Sequence, residues 1–331
     1  MVQEKKLIDE VSGWLKLYDD GSVDRMWTGP PQFKFMSDPV PPHPHFIDGV
    51  SATDYTTPGG LKIRIYLPEI PGDGRIPILL HFHGGGFCIS EADWYMYYAA
   101  YTRLARTVGA AVVSVYLRRA PEHRLPAACD DGLAALLWLR SVAAGDSPRP
   151  PPLRAADPRR VFLVGDSSGG NIVYQVAARA GREDLGPLRI AGAIPIHPGF
   201  CRSRRSRSEV EQPETPFLTL DMVDKFLNLA LPVGATKDHP ITCPMGKDAP
   251  PLEGEILPPY LYCVARQDLL WDTEMEFYEA MIEARKEIEV FVSEGVGHSF
   301  YLNKVAVDND AATAEQTRKL FHRIAHFVAG H

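Results

Sequence analysis

Residues 161–171, Val-Phe-Leu-Val-Gly-Asp-Ser-Ser-Gly-Gly-Asn, decide how the rest of this chain is read. Four apolar residues run into a glycine-flanked serine, the pattern Gly-x-Ser-x-Gly, and NIVYQVAARA (171–180) follows with helical spacing. Physically, a buried strand ends, the chain turns sharply and a helix begins. The Ser167 hydroxyl is then left exposed at the top of a sheet, beside a helix N-terminus. Gly165 and Gly169 suit a turn with no room for side chains on either side. Three fixed positions in five residues match by chance too often to stand alone. The reading depends on what else the chain supplies to a serine nucleophile.

The neighbouring segments predict the right setting. IPILLHF (76–82), AAVVSVYL (110–117), IAGAIPIHP (190–198), YLYCVA (260–265) and IEVFVSE (288–294) are short apolar runs of strand length. LKIRIYLPE (61–69) alternates apolar and polar residues, as an antiparallel strand near a sheet edge does. YYAAYTRLAR, LPAACDDGLAALLWLRSVAA, TEMEFYEAMIEARK and AEQTRKLFHRIAHFVAG carry helical periodicity between and after them. Strands alternating with helices predict an α/β fold, a mostly parallel sheet with helices on both faces, as one domain over residues 1–331.

Two stretches break the alternation. Residues 1–50 read as an irregular arm, with two short strands around Asp19-Asp20-Gly21 and then PPQFKFMSDPVPPHPHF, too proline-rich for regular structure. Residues of about 200–255 read as an insertion, holding one helix that ends at Pro232 between polar loops. Together they are expected to form a cap over the sheet's C-terminal edge, where ligands of α/β sheets bind.

Composition narrows the partners. The chain has 331 residues, 45% of them hydrophobic, and a formal net charge of −7, which argues against nucleic acid. The N-terminal MVQEKKLIDEVSGW is charged and lacks a signal-like apolar core, and no apolar run reaches the roughly 18–20 residues of a membrane span. The expectation is a cytoplasmic monomer or homodimer that acts on a small molecule. Cys88, Cys129, Cys201, Cys243 and Cys263 show no paired spacing and read as free buried thiols.

A serine hydroxyl needs a base, and the base an orienting carboxylate; behind such a strand–turn–helix serine they follow in the order acid, then histidine. Among the downstream histidines, His298 lies in the glycine-bracketed loop Gly295-Val296-Gly297-His298, just after a strand. His197 reads as a core histidine, His239 as part of the cap loop, and His322 and His326 as a solvated helix face. Asp268 stands at the end of YLYCVA; Asp272 is its competitor and reads better as a helix cap. Asp166 reads as an anchor for the turn. His81-Phe82-His83-Gly84-Gly85-Gly86-Phe87 places bare backbone amides where an oxyanion can be held, and the Ser168 amide adds a donor. His81 and His83 read as braces for this loop rather than metal ligands.

HFHGGGF, APEHRLPAA (120–128) and GDSSGGN, with Asp268 and GHSF (297–300), together resemble the hormone-sensitive-lipase-like esterases of the α/β-hydrolase fold. WTGPP (27–31), YLYCVA and GHSFYLNK look more narrowly like plant carboxylesterases, nearest the hypersensitivity-related ones induced in defence. The resemblance covers essentially the whole chain. It implies Ser167 as nucleophile, Asp268 as acid and His298 as base. Gly85, Gly86 and the Ser168 amide would form the oxyanion hole, and Gly84 would shape it. It also implies neither metal nor organic cofactor, and a small ester as substrate. One departure is Leu117-Arg118-Arg119-Ala120-Pro121-Glu122, where the family usually has Tyr-Arg-Leu-Ala-Pro-Glu; it puts the packing of that turn in doubt. The same family includes gibberellin receptors, which replace the histidine that His298 supplies here. It also includes dehydratases with Thr in place of Ser167, and alkaloid-forming cyclases.

Aromatic residues crowd the glycine loop and the expected cap. Phe87, Trp94, Phe217 and Phe226 are the expected pocket residues, suited to a flat aromatic ester such as benzyl salicylate. Arg202, Arg204, Arg205 and Arg207 form the one basic cluster and read as a solvated loop.

Overall fold

The computed structural model describes residues 5–69 and 74–331, so the first four residues of the arm lie outside the described chain. The arm forms a small sheet of β1 (Leu7–Val11), β2 (Leu15–Tyr18) and β3 (Val23–Asp24), and then enters the main sheet with β4 (His43–Ile47), β5 (Val50–Thr56) and β6 (Lys62–Pro68). The alternation that follows is β7 (Ile76–Phe82), α1 (Tyr95–Val108), β8 (Ala111–Val115), α2 (Ala127–Ala144), β9 (Ala156–Asp166), α3 (Ser168–Ala180) and β10 (Ile190–Ile196). The insertion holds α4 (Arg207–Glu211) and α5 (Leu220–Ala230). The chain closes with β11 (Tyr260–Ala265), α6 (Trp271–Glu283), β12 (Ile288–Ser293), α7 (Lys304–Asn309) and α8 (Ala311–Gly330).

The main sheet has nine strands in the order β12-β11-β10-β9-β7-β8-β6-β5-β4. From β12 to β8 every neighbour is parallel, and from β8 through β6 and β5 to β4 every neighbour is antiparallel. Apolar runs that need cover on both faces therefore lie at the centre, and helices supply the cover. On one face Phe327 of α8 meets Phe162 of β9, with ring centroids 6.1 Å apart. On the other, Tyr174 of α3 meets Phe277 of α6 at 5.4 Å. Each such buried aromatic contributes about 1.5–3 kcal/mol relative to an exposed one.

The arm is more regular than its composition suggests. His43–Ile47 is an edge strand despite Pro44, because an edge strand uses one line of hydrogen bonds, and its pairing with β5 shifts register between His43 and Ile47. Pro31–Ser37, within the stretch expected to be irregular, is a short 3-10 helix with proline in its first turn. The strand β5 was not expected, since Val50–Thr56 is too polar to show an apolar run. It pairs with β6 along its whole length, so β6 sits two strands in from the edge. In the insertion, α4 forms where only polar loop was expected; Ser206 and Glu209 close a reciprocal capping box at its start.

The unusual turn at 117–122 is well tied. Arg118 Nε donates to Asp131 of α2 at 2.8 Å, and Arg119 pairs with Glu91 at 2.7 Å. Glu122 accepts from Arg25 of the arm at 2.8 Å, and Arg25 also donates to the Ala120 carbonyl. Arm and insertion meet as well: Lys225 Nζ donates to the Glu10 carbonyl at 2.8 Å, and the Trp14 and Phe217 rings lie 6.2 Å apart.

Candidate active site

Between β9 and α3 the backbone of Ser167 takes φ 51° and ψ −125°, a left-handed conformation rare for a side-chain-bearing residue. Such strain costs about 1–3 kcal/mol and needs surrounding structure to hold it. Three backbone hydrogen bonds do so. Ser167 N donates to Ile196 O at 3.0 Å, and Ser167 O accepts from Gly170 N at 2.8 Å and Gly199 N at 2.9 Å. Gly169 is fixed by a close approach, since a Cβ there would stand 2.0 Å from the Phe82 carbonyl of β7.

The glycine loop after β7 runs beside this turn. A Cβ on Gly84 would lie 2.4 Å from Asp166 Oδ2, so Gly84 packs directly on the turn, while Gly85 and Gly86 line the same cavity as Ser167 and Ser168. Gly86 has φ 59°, and a Cβ there would meet Phe226 of α5 at 2.4 Å. Ser168 opens α3, where a first-turn amide has no acceptor within its own helix. Its Oγ accepts the Phe87 amide at 3.2 Å, pinning the glycine loop to the turn.

Asp268 and His298 come from the loops after β11 and β12. His298 Nδ1 lies 2.6 Å from Asp268 Oδ2, and Asp268 Oδ1 accepts the Leu270 amide at 2.9 Å. Asp268 is fully buried. His298 Nε2 has no hydrogen-bond partner among the described residues, and His298 shares the cavity wall with Ser167. This arrangement can orient an imidazole, leave its second nitrogen free to take a proton, and stabilise the cation that results.

The other polar residues serve as supports. Asp272 does not cap α6; its carboxylate accepts the Ser208 amide at 2.8 Å and ties α4 to α6. Asp166 is buried, with Tyr97 Oη 3.5 Å from Oδ2 and His81 Nε2 3.5 Å from Oδ1. His81 Nδ1 bonds Ser114 Oγ of β8 at 2.7 Å, and burial pushes its pKa down, opposed by Asp166. His83 Nδ1 donates to the Gly84 carbonyl at 2.9 Å, and burial pushes its pKa down to about 3. His197 is also buried, likewise down to about 3, and its Nδ1 accepts the Ser299 amide at 3.0 Å. His322 and His326 are exposed on α8. Burial raises all five thiols; Cys201 is the one that lines the cavity.

The cavity holds about 360 Å³. Phe87, Phe217 and Phe226 line it, and Trp94 does not. Trp94 precedes α1 and stacks behind Trp14 at 6.1 Å; it is Trp14 that reaches the cavity. Phe300 and Leu218 also line it, with no local signal in the sequence to mark them. No lysine or arginine does, among the described residues. In the basic cluster, Arg202, Arg205 and Arg207 are paired with Glu276, Glu209 and Glu211, as a solvated loop allows.

Residues 79–302 match the family described as alpha/beta hydrolase fold. The chain belongs to that family and is a carboxylesterase-like member of it, a carboxylic ester hydrolase. It is 36% identical over 304 residues to the probable carboxylesterase 6 of Arabidopsis thaliana, covering 89% of this chain and 85% of the relative. It is 34% identical over 284 residues to a gibberellin receptor of the same plant, covering 81% and 80%. Among solved structures, the esterase of Pyrobaculum calidifontis superposes with a TM-score of 0.68 at 25% identity, covering 86% of each chain. No helix of the described residues is long and apolar enough to cross a membrane.

Proposed function

We propose that the protein hydrolyses small, neutral, aromatic carboxylic esters through an acyl-enzyme on Ser167. The observation that carries this reading is the Asp268–His298 pair at 2.6 Å, its Nε2 unpartnered, on the wall of the cavity that also holds the strained Ser167. His298 takes the Ser167 proton as the oxygen attacks the ester carbonyl, and Asp268 holds the tautomer and stabilises the imidazolium. The amides of Gly85, Gly86 and Ser168 receive the developing oxyanion, and Gly84 sets their place against the turn. His298 then protonates the departing alkoxide and activates the water that releases the acid.

The cavity supports the substrate class. About 360 Å³ lies at the lower end of the roughly 300–1,000 Å³ of small-molecule sites, which disfavours long acyl chains. Aromatic walls suit a flat ring, and the absence of lysine and arginine from the described lining favours an uncharged ester. The arm and the insertion act as the cap over this space; Trp14 comes from one and Phe217 and Phe226 from the other. Benzyl salicylate is the candidate substrate, giving salicylic acid, and a role in plant defence goes with it. Presence of Ser167, Asp268 and His298 together disfavours a purely hormone-binding or dehydratase role. Steady-state kinetics test the substrate: kcat/KM for benzyl salicylate is expected to exceed that for p-nitrophenyl acetate and butyrate, and an equal or lower value would remove the specialisation.

A further inference from the structure

Glu274, in the first turn of α6, is fully buried, and neither carboxyl oxygen has a hydrogen-bond partner among the described residues. One of its oxygens lies within 4.8 Å of an Asp268 oxygen and of a His298 ring nitrogen. The steps proposed above use Asp268 and His298 and leave Glu274 idle. A buried polar group with no partner, within 4.8 Å of a reacting pair, calls for an explanation.

An ionised carboxylate does not persist in that position. It would have no donor, no water-like surroundings and a second carboxylate as its neighbour. Burial, with Asp268 beside it, pushes the Glu274 carboxyl well above its usual range. Among the described residues, the other titratable groups around it bring no cation. His197 lies behind His298, with ring centroids 6.0 Å apart, and the Tyr262 hydroxyl of β11 donates to the Glu274 backbone carbonyl at 3.0 Å. A cation held by Asp268, Glu274 and His298 is a poor fit, because Asp268 Oδ2 and His298 Nδ1 are already joined to each other.

We propose that Glu274 is a positioning residue for the hydrolysis: a proton-bearing carboxyl that leaves one negative charge on the Asp268–Glu274 pair and limits how strongly Asp268 pulls on the His298 Nδ1 proton. The inference rests on the ester-hydrolase reading. A neutral donor turned toward a carboxylate makes that carboxylate a weaker acceptor, and its loss makes the attached imidazole more basic.

Two variants test this. Glu274→Gln keeps an uncharged donor of the same shape, and Glu274→Leu removes the donor. With p-nitrophenyl butyrate, the Gln variant is expected to keep kcat within about threefold and the acid limb of its pH profile in place. The Leu variant is expected to lose about tenfold in kcat at unchanged KM, its acid limb rising by roughly half to one pH unit. Unfolding at neutral pH releases the extra proton, so wild-type stability falls as pH rises above the ordinary value of 4.5. The melting temperature of the Gln variant should therefore gain on wild type between about pH 5 and 8. An acid limb lowered by a unit or more in the Gln variant, or no such gain in melting temperature, means that Glu274 is ionised and overturns the proposal. A Leu variant with wild-type kcat and pH profile overturns it too. The melts need no substrate. They keep this proposal testable if wild type hydrolyses no ester, a result that would count against the esterase reading instead.

Discussion

The Nδ1 atom of His197 accepts the backbone amide of Ser299 at 3.0 Å, so the strand-end histidine of β10 holds the residue next to His298. Both residues are in left-handed conformations, at φ 46° for His197 and φ 50° for Ser299. The bond requires an unprotonated Nδ1, and deep burial keeps the ring neutral. A histidine that reads as core filling is thus the fixture for the loop carrying His298.

His197→Ala is expected to lower kcat about tenfold to a hundredfold, since a shift of the His298 loop by a fraction of an ångström misaligns proton transfer. His197→Gln, whose side-chain oxygen can accept the same amide, should recover much of the loss. Parallel kinetics on both variants check the expectation, and equal losses would assign His197 to packing alone.

Burial holds His83 and His197 at a pKa of about 3, against 6.5 when unfolded. Between about pH 3 and 6.5 the unfolded chain therefore binds more protons than the folded one. The stability these groups contribute is fully present above about pH 6.5 and declines as pH falls toward 3. Thermal melts should show His197→Gln with a shallower decline than wild type over that window.

Ser167→Ala should remove turnover by a factor on the order of 10⁴ to 10⁶ while leaving the melting temperature nearly unchanged. Labelling by an aryl phosphonate should vanish with it. Retention of most of the hydrolytic rate would send the search to another nucleophile.

Gly86→Ala places a methyl group 2.4 Å from Phe226 at φ 59°. A loss of about a hundredfold in kcat/KM is expected from a displaced oxyanion loop. In the double variant with Phe226→Ala the ring contacts are gone, but the Cβ at position 226, 2.7 Å away, and the backbone strain stay, so recovery should be partial; kinetics on the single and double variants measure the split.

Trp14→Ala enlarges the cavity at the wall that the arm supplies. Its kcat/KM for benzyl salicylate should fall about tenfold or more, with a smaller change for p-nitrophenyl acetate, which has fewer atoms to place against that wall. A uniform loss for both esters would place Trp14 in the packing of the arm.

Legibility followed the range of the forces involved. Ile76–Phe82 and Tyr260–Ala265 form strands with the bounds read from their apolar runs, because every residue in both is buried. Gly165, Ser167 and Gly169 announce their turn because it is built from neighbours in sequence. Trp94 and Trp14 show the opposite case: nearness to the glycine loop along the chain favours Trp94, yet packing across 80 residues puts Trp14 into the cavity. Pro44 and the polar Val50–Thr56 hide two strands whose pairing is set by β6 and not by their own propensity. Glu274 is silent for the same reason; one more acid on an amphipathic helix gives no sign that it ends beside Asp268.

The bond from Lys225 to the Glu10 carbonyl joins residues 215 apart. At about 5–20 residues per second, a ribosome would deliver the second partner roughly ten to forty seconds after the first. Through that interval Trp14 has neither Phe217 nor α5 to rest against. The arm is made well before the insertion it packs against, so that side of the Trp14 ring waits for Phe217 while the chain between them is added.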